Sequence, residues 1–158
     1  MIRTISPADA AAIATLSVDA GLFPPEHIAF LDEMMVNYFN IYQAKGHRCV
    51  VDEENDILLG VAYYEPALAT DRTWYLTMIG VRRSLQGQGR GAALMHYVED
   101  SLTAEGQRIL LVETSGTPEF ALTRKFYAKL GYDEEARVRD YYAPNDDMVL
   151  FRKELNAK

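Results

Sequence analysis

Two runs in the second half of the chain, WYLTMIGV at residues 74–81 and RILLVETS at residues 108–115, are rich in apolar side chains on both alternating sets of positions. Strands of that kind need cover on both faces, the condition of neighbours inside a parallel or mixed sheet. Between them, over residues 89–105, Leu94, Met95, Val98 and Leu102 form one stripe at helical spacing, and Gly106 stands where such a helix ends. Strand, helix and strand at these lengths make a βαβ crossover, so the two strands run parallel. Everything else in the chain must add strands to the edges of this unit and helices to its faces.

The remainder supplies those additions. Residues 1–5 alternate weakly, and Ser6-Pro7 is an N-cap and first-turn pair that opens an alanine-rich helix ending near Gly21. A second helix is predicted after Pro24-Pro25 through EHIAFLDEMMVNYFNIYQ, with Ile28, Leu31, Met35, Phe39 and Tyr42 at helical spacing and Gly46 as its stop. RCVVDEE and ILLGVAYYE, joined by END, read as a hairpin. Pro118 opens a helix, PEFALTRKFYAKL, that ends at Gly131, and EARVRDYY and DMVLFRKEL form a closing antiparallel pair around APND. The order β, α, α, β, β, β, α, β, α, β, β describes an α+β fold with a mixed sheet of seven strands and helices on both faces. At 158 residues, 49% of them hydrophobic, the expectation is one domain over residues 1–158.

Composition removes several function classes. A formal charge of −7 argues against nucleic acid as partner, because such binders need clustered Lys and Arg, and it favours cationic partners such as amines. No apolar run approaches the roughly 20 residues needed to cross a bilayer, and the N-terminus lacks the pattern of a secretion signal, so no membrane partner is expected and a cytoplasmic location is. The single cysteine, Cys49, lies in a strand-like run and reads as an inert buried thiol. His27, His47 and His96 have no partners at metal-ligand spacing, so no metal is expected, and His27 is a candidate to reach the acceptor site.

Gly87, Gly89 and Gly91 alternate with Gln86, Gln88 and Arg90 just where the crossover helix begins. Backbone without Cβ atoms lets several N–H groups converge on one spot, and the helix end adds partial positive charge, so an anion such as a diphosphate fits there. GQGRGA also satisfies G-x-G-x-x-A, with Glu113 about twenty residues further on, as a dinucleotide-binding domain asks. In that fingerprint the first glycine follows its strand directly, whereas here RRSLQ intervenes, and the motif opens the fold rather than following a long first half.

These residues resemble the GNAT superfamily of acetyl-coenzyme A dependent N-acetyltransferases. Its signature R/Q-x-x-G-x-G/A stands as Gln86-Gly87-Gln88-Gly89-Arg90-Gly91, and its second hallmark, a helix with an aromatic pair ending in LGY, stands as KFYAKLGY. The resemblance implies a three-layer fold in which WYLTMIGV carries a bulge and splays from RILLVETS, leaving a gap for the pantetheine arm. It implies that the arm pairs with the backbone of Ile79 and Val81, that the diphosphate sits on the amides of Gly87, Gln88, Gly89, Arg90, Gly91 and Ala92 beside Gln86, and that Thr123 touches the cofactor. It further implies acetyl transfer from acetyl-coenzyme A to a primary amine in a ternary complex, with the Ile79 amide facing the thioester oxygen and Tyr127 as the acid that protonates the departing thiolate.

The chemistry asks for those parts. An alkyl amine with a pKa near 10.4 is about 99.9% protonated at pH 7, so a group or water chain must take a proton before attack. Thiolate and phenol differ by only about 1.5 pKa units in their ordinary values, so proton transfer from a tyrosine is a small uphill step. Glu113, near the carboxyl end of its strand, is the candidate base, although many relatives carry an asparagine near this place and here Thr114 and Ser115 follow. Phe126 shares a helix face with Leu122 and Leu130 and reads as core. The resemblance implies that the first two helices and the last strand pair shape the acceptor pocket, so GLFPPEH, the second helix and Asp140, Tyr141, Tyr142, Asp146 and Asp147, which suit an ammonium by charge and cation–π contact, are the places expected for an amine-bearing acceptor, small molecule or peptide/protein amine; a second copy of the chain, as a homodimer, is also allowed. A non-catalytic acyl-coenzyme A sensing module is the other reading of the same residues, and the presence of Tyr127 argues against it.

Overall fold

Residues 1–155 are described by a computed structural model. Asn55 and Asp56 take φ of 51° and 62°, the pair of left-handed residues that a tight hairpin turn demands. They join β2 (Arg48–Glu54) to β3 (Ile57–Pro66), as the polar END between two apolar runs led one to expect. With β1 (Ile2–Thr4), β4 (Thr73–Val81), β5 (Ile109–Ser115), β6 (Asp133–Ala143) and β7 (Asp146–Glu154), these strands form one mixed sheet in the order β1-β2-β3-β4-β5-β7-β6. β4 and β5 pair in parallel, Thr73↔Ile109 through Leu76↔Val112, and the pairs β1/β2, β2/β3, β5/β7 and β6/β7 are antiparallel. The central parallel crossover is therefore where its apolar strands placed it.

The chain divides into two compact units, one of Met1–Pro66 with Thr77–Asp100 and the other of Ala67–Leu76 with the chain from Ser101 on. The boundary falls inside β4, just after the last residue paired with β5.

In the first unit, α1 (Ala10–Asp19) and α2 (Ile28–Asn37) bury Ile13, Leu16 and Met35 against Cys49, Val51, Val61 and Tyr63 of the β2–β3 hairpin. Ser17 Oγ turns back to the Ile13 carbonyl at 2.8 Å, which satisfies a hydroxyl that would otherwise be a costly buried group. α3 (Arg90–Ala104) covers the other face: a Cβ at Gly60 would fall 2.8 Å from Leu94 Cδ1, and Leu94, Met95, Val98 and Leu102 are fully buried. Cys49 has no exposed surface, and burial pushes its thiol well above the usual range, in line with an inert core residue.

The second helix departs from its expected course. It stops at Asn37, continues as a π-helical turn over Tyr38–Tyr42 and a 3-10 turn over Gln43–Lys45, and ends at Gly46 with φ of 94°. Tyr38, three residues after Met35, continues the buried stripe of Leu31 and Met35 at ordinary helical spacing, Phe39 packs partly buried against the same core, and Ile28 and Tyr42, expected on that stripe, lie exposed.

In the second unit, α4 (Ala121–Lys129) follows a 3-10 turn at Pro118–Phe120. Its packing corrects the face read from the sequence. Leu122 is 80% exposed and Phe126 half-buried, whereas Tyr127 is 3% exposed, its ring 5.6 Å from that of Phe151 and 5.8 Å from that of Tyr132. Side-chain type alone favours the face of Leu122, Phe126 and Leu130, but the helix turns its tyrosine onto β7. Lys153 Nζ reaches the Leu130 carbonyl at 2.8 Å and so caps the helix end. Among the described residues no helix is long and apolar enough to cross a membrane.

Candidate active site

The glycine stretch becomes a turn of open backbone. Gly87 and Gly89 have φ of 76° and 89°, and nothing lies within 4 Å of the place a Cβ would take at either. Gly91 sits inside α3, which starts at Arg90, one residue later than expected. The first bond of the helix runs from the Ala93 N–H to the Gly89 carbonyl at 3.0 Å, so the amides of Arg90, Gly91 and Ala92 precede the ladder and point out of the helix start. A cleft of about 540 Å³ opens beside them, lined in part by Gln88, Gly89, Arg90 and Tyr97.

The polar side chains of the motif are spent on holding this turn, Gln88 Nε2 by donating to the Ser84 carbonyl at 3.4 Å. Gln86 Nε2 donates to the carbonyls of Val81 at 3.0 Å and Ala20 at 3.2 Å. Arg90 donates to Asp52 Oδ2 at 2.7 Å and Glu54 Oε1 at 2.9 Å, which raises its guanidinium's affinity for its proton and ties the first turn of α3 to β2. Asp52, only 5% exposed, needs that cation, and the Met1 ammonium is a second partner at 3.2 Å. What Gln86 and Arg90 leave free for an anion is main chain.

On β4, Ile79 is half-buried and Val81 buried. Thr77 Oγ1 donates to Glu65 Oε2 at 2.8 Å, while its neighbour Met78 packs with Val61 and Tyr63, with Sδ 3.9 Å from Ser17 Oγ. Glu65 and Tyr63 share one side of β3, so consecutive β4 residues point the same way, which a regular strand with its period of two does not allow.

In the second unit β5 is not buried on both faces. Leu110, Val112 and Thr114 are buried, but Ile109 and Leu111 are half-buried and Glu113 is exposed. A carboxylate in contact with water needs no compensating partner, so the position of Glu113 on a strand expected to be buried on both faces does not by itself call for a function. Its charge still reaches neighbours: burial first and Glu113 next hold the phenol of Tyr75 above its ordinary range, and the same two causes push that of Tyr142 up to about 12.

The acidic residues of the β6–β7 turn are engaged by the turn itself and by the neighbouring strands. Asp147 accepts from the Asp140 N–H at 2.9 Å and from Arg137 Nη1 at 2.9 Å, Asp140 Oδ1 accepts from the Asn145 N–H at 2.8 Å, and Asp146 Oδ1 accepts from Ser115 Oγ at 2.5 Å. Tyr141 and Tyr142 stay exposed, their rings 4.9 Å apart and edge to face. On α4, Thr123 is half-buried one turn before Tyr127, whose phenol burial pushes well above the usual range.

One polar group was missed by reading the sequence. His47 Nδ1 lies 2.6 Å from Tyr63 Oη and 3.7 Å from Glu65 Oε2, and the Tyr42 ring stacks on its imidazole at 5.0 Å. His27 and His96 are exposed.

The sheet order, the crossover helix and the open turn at its start together define an acetyltransferase type of fold. The chain belongs to the Acetyltransferase (GNAT) family, whose model matches residues 15–132. A GNAT-family protein from Desulfovibrio desulfuricans is 32% identical over 99% of both chains, with a TM-score of 0.92. The ribosomal-protein-S18-alanine N-acetyltransferase of Escherichia coli superimposes with a TM-score of 0.81 at 21% identity, over 100% of this chain and 95% of that one. A Salmonella typhimurium protein solved with its cofactor acetyl-CoA gives the same TM-score, identity and coverage. No curated protein sequence matches the chain.

Proposed function

We propose that the protein is a cytoplasmic N-acetyltransferase that moves the acetyl group of acetyl-coenzyme A to a primary amine by direct attack in a ternary complex. The observation that carries this reading is the open turn at Gly87 and Gly89 with the unladdered amides of Arg90, Gly91 and Ala92 beyond it. Fixed N–H groups at a helix start suit a diphosphate. The relative solved with acetyl-CoA supports the choice of ligand.

In this reading the backbone of Ile79 and Val81 pairs with the pantetheine arm, and the Ile79 N–H meets the thioester oxygen as it gains charge during attack. Gln86 and Gln88 shape the turn, and Thr123 borders the cofactor. Glu113 takes the proton that the acceptor's ammonium must lose, directly or through water. Nitrogen then bonds to the thioester carbon, the carbon–sulfur bond breaks with its electron pair on sulfur, and Tyr127 gives that thiolate a proton. The phenol regains its proton from the nitrogen that has become an amide. Burial makes Tyr127 a weaker acid than a free tyrosine, so its transfer is more uphill than ordinary values suggest, and it stays protonated throughout the working range.

The acceptor carries an amine; the S18-alanine enzyme shows one such acceptor for this fold, a protein amine, without naming the one used here. Release of free thiol from acetyl-coenzyme A across a panel of alkyl amines, amino acids and peptides tests the reading. Turnover on at least one amine is expected, and cofactor binding with no turnover on any would instead make the chain a coenzyme A sensor. Tyr127→Phe should lower turnover by about 10²-fold with cofactor affinity unchanged. A variant as fast as the parent removes that role.

A further inference from the structure

Glu65, at the end of β3 in the first unit, is a carboxylate built to a definite pose and only half used. Its Oε2 accepts from Thr77 Oγ1 at 2.8 Å and faces His47 Nδ1 at 3.7 Å. Its Oε1 has no partner among the described residues, and the side chain is 31% exposed. His47 is itself held in place, by Tyr63 Oη at 2.6 Å on one side and the stacked Tyr42 ring on another. Burial, and then the charge of Glu65, keep the Tyr63 phenol protonated, so the His47–Tyr63 pair brings no second anion to the spot. Lys45 Nζ lies over the Tyr42 ring at 5.7 Å. A fixed carboxylate with one free oxygen is a seat for an ammonium group.

Its place along β4 gives that seat a use. Thr77 stands two residues before Ile79 on β4. We infer that Glu65 is the acceptor-binding residue: Oε1 receives the ammonium of an alkyl amine that is cationic at the working pH and holds it near the thioester for deprotonation by another group. This inference rests on the acetyl-transfer reading of Ile79. It assigns binding and no bond-making step to Glu65, and it makes Thr77 and His47 positioning residues for that carboxylate.

Glu65→Gln keeps the shape and the Thr77 hydrogen bond and removes the charge. With the best alkyl amine of the panel, KM should rise about 10- to 100-fold while kcat and coenzyme A affinity change little. With aniline, neutral at pH 7, KM should stay as it is. A Glu65→Gln enzyme with unaltered KM for the alkyl amine, or with equal losses on both acceptors, overturns the inference. A second readout does not need turnover: benzylamine added to the folded protein should shift the His47 ring resonances in the NMR spectrum of the parent and leave them unmoved in Glu65→Gln. Shifts absent from the parent, or identical in both, also overturn it. If no amine is acetylated but the Glu65-dependent shift is present, the acetyl-transfer reading fails and the ammonium seat stands.

Discussion

Gly87 and Gly89 lack a side chain for a conformational reason, Gly60 for a steric one. At Gly89 a methyl group would find empty space but the backbone sits at φ of 89°, so Gly89→Ala should cost about 1–2 kcal/mol of left-handed strain in urea unfolding and weaken coenzyme A binding as well. At Gly60 the φ is ordinary but the new Cβ would lie 2.8 Å from Leu94 Cδ1 and 3.3 Å from the Gly80 carbonyl oxygen. Gly60→Ala should therefore lose about 1–3 kcal/mol by overpacking, with less effect on binding per unit of stability lost. Tyr127 yields a prediction in pH. Because burial raises its pKa, an acid role implies that kcat does not fall as pH passes the ordinary tyrosine value of about 10, and a fall there would point to a different acid. The alternation of Gly with Gln and Arg made the turn legible in the sequence. That Arg90 would spend its charge on Asp52 and Glu54 was not, since β2 lies far from it in the chain and meets it only in the fold.

At the level of elements, the 3-10 turn Pro7–Asp9 that leads into α1 depends on a carboxylate. Asp9 accepts from Arg3 at 2.8 Å and 3.0 Å and from the Ser6 N–H at 2.7 Å. The Arg3 hydrogen bonds are the main reason its pKa drops from 3.8 to about 2, against the opposing effect of burial. A folded value below the unfolded one means that the stabilisation is complete above the ordinary carboxylate range and disappears as pH falls toward about 2. Asp9→Asn should thus destabilise at pH 7 but approach the parent near pH 2 in chemical denaturation. The β2–β3 hairpin shows why Glu65 and His47 escaped notice. Counting back from the Asn55-Asp56 turn through Glu54↔Ile57 and Glu53↔Leu58 would set His47 opposite Tyr64, on the wrong face. An irregularity between Asp52 and Glu53 moves the register by one, to Asp52↔Gly60 and Cys49↔Tyr63, and carries His47 round to the side of Tyr63 and Glu65. A single extra residue of that kind leaves no mark on hydrophobic periodicity. The π turn after Asn37 is invisible for the same reason, while the long apolar stripe of α3 and the strands around it could be read directly.

For the molecule as a whole, binding and charge make separate predictions. A ligand held by the folded state alone adds about 2.7 kcal/mol of apparent stability at 100 times its Kd, so coenzyme A should raise the melting temperature and NAD should not. A net charge of −7 attracts cations and is screened by salt, so under the proposed function kcat/KM for an alkyl amine should fall as ionic strength rises, whereas that for a neutral arylamine should hold steady. The edge strand β6 is exposed along its whole length, and its Asp133, Glu134, Glu135, Arg137 and Arg139 discourage pairing with another chain. Cys49 bears on how such an enzyme can be watched at work. Each turnover liberates a sulfhydryl on the carrier, and the lone protein sulfhydryl is sealed in the core with its proton firmly held. A chromogenic disulfide reagent therefore counts product without background from the catalyst, and any colour that accumulates on the polypeptide itself becomes a clock for its unfolding.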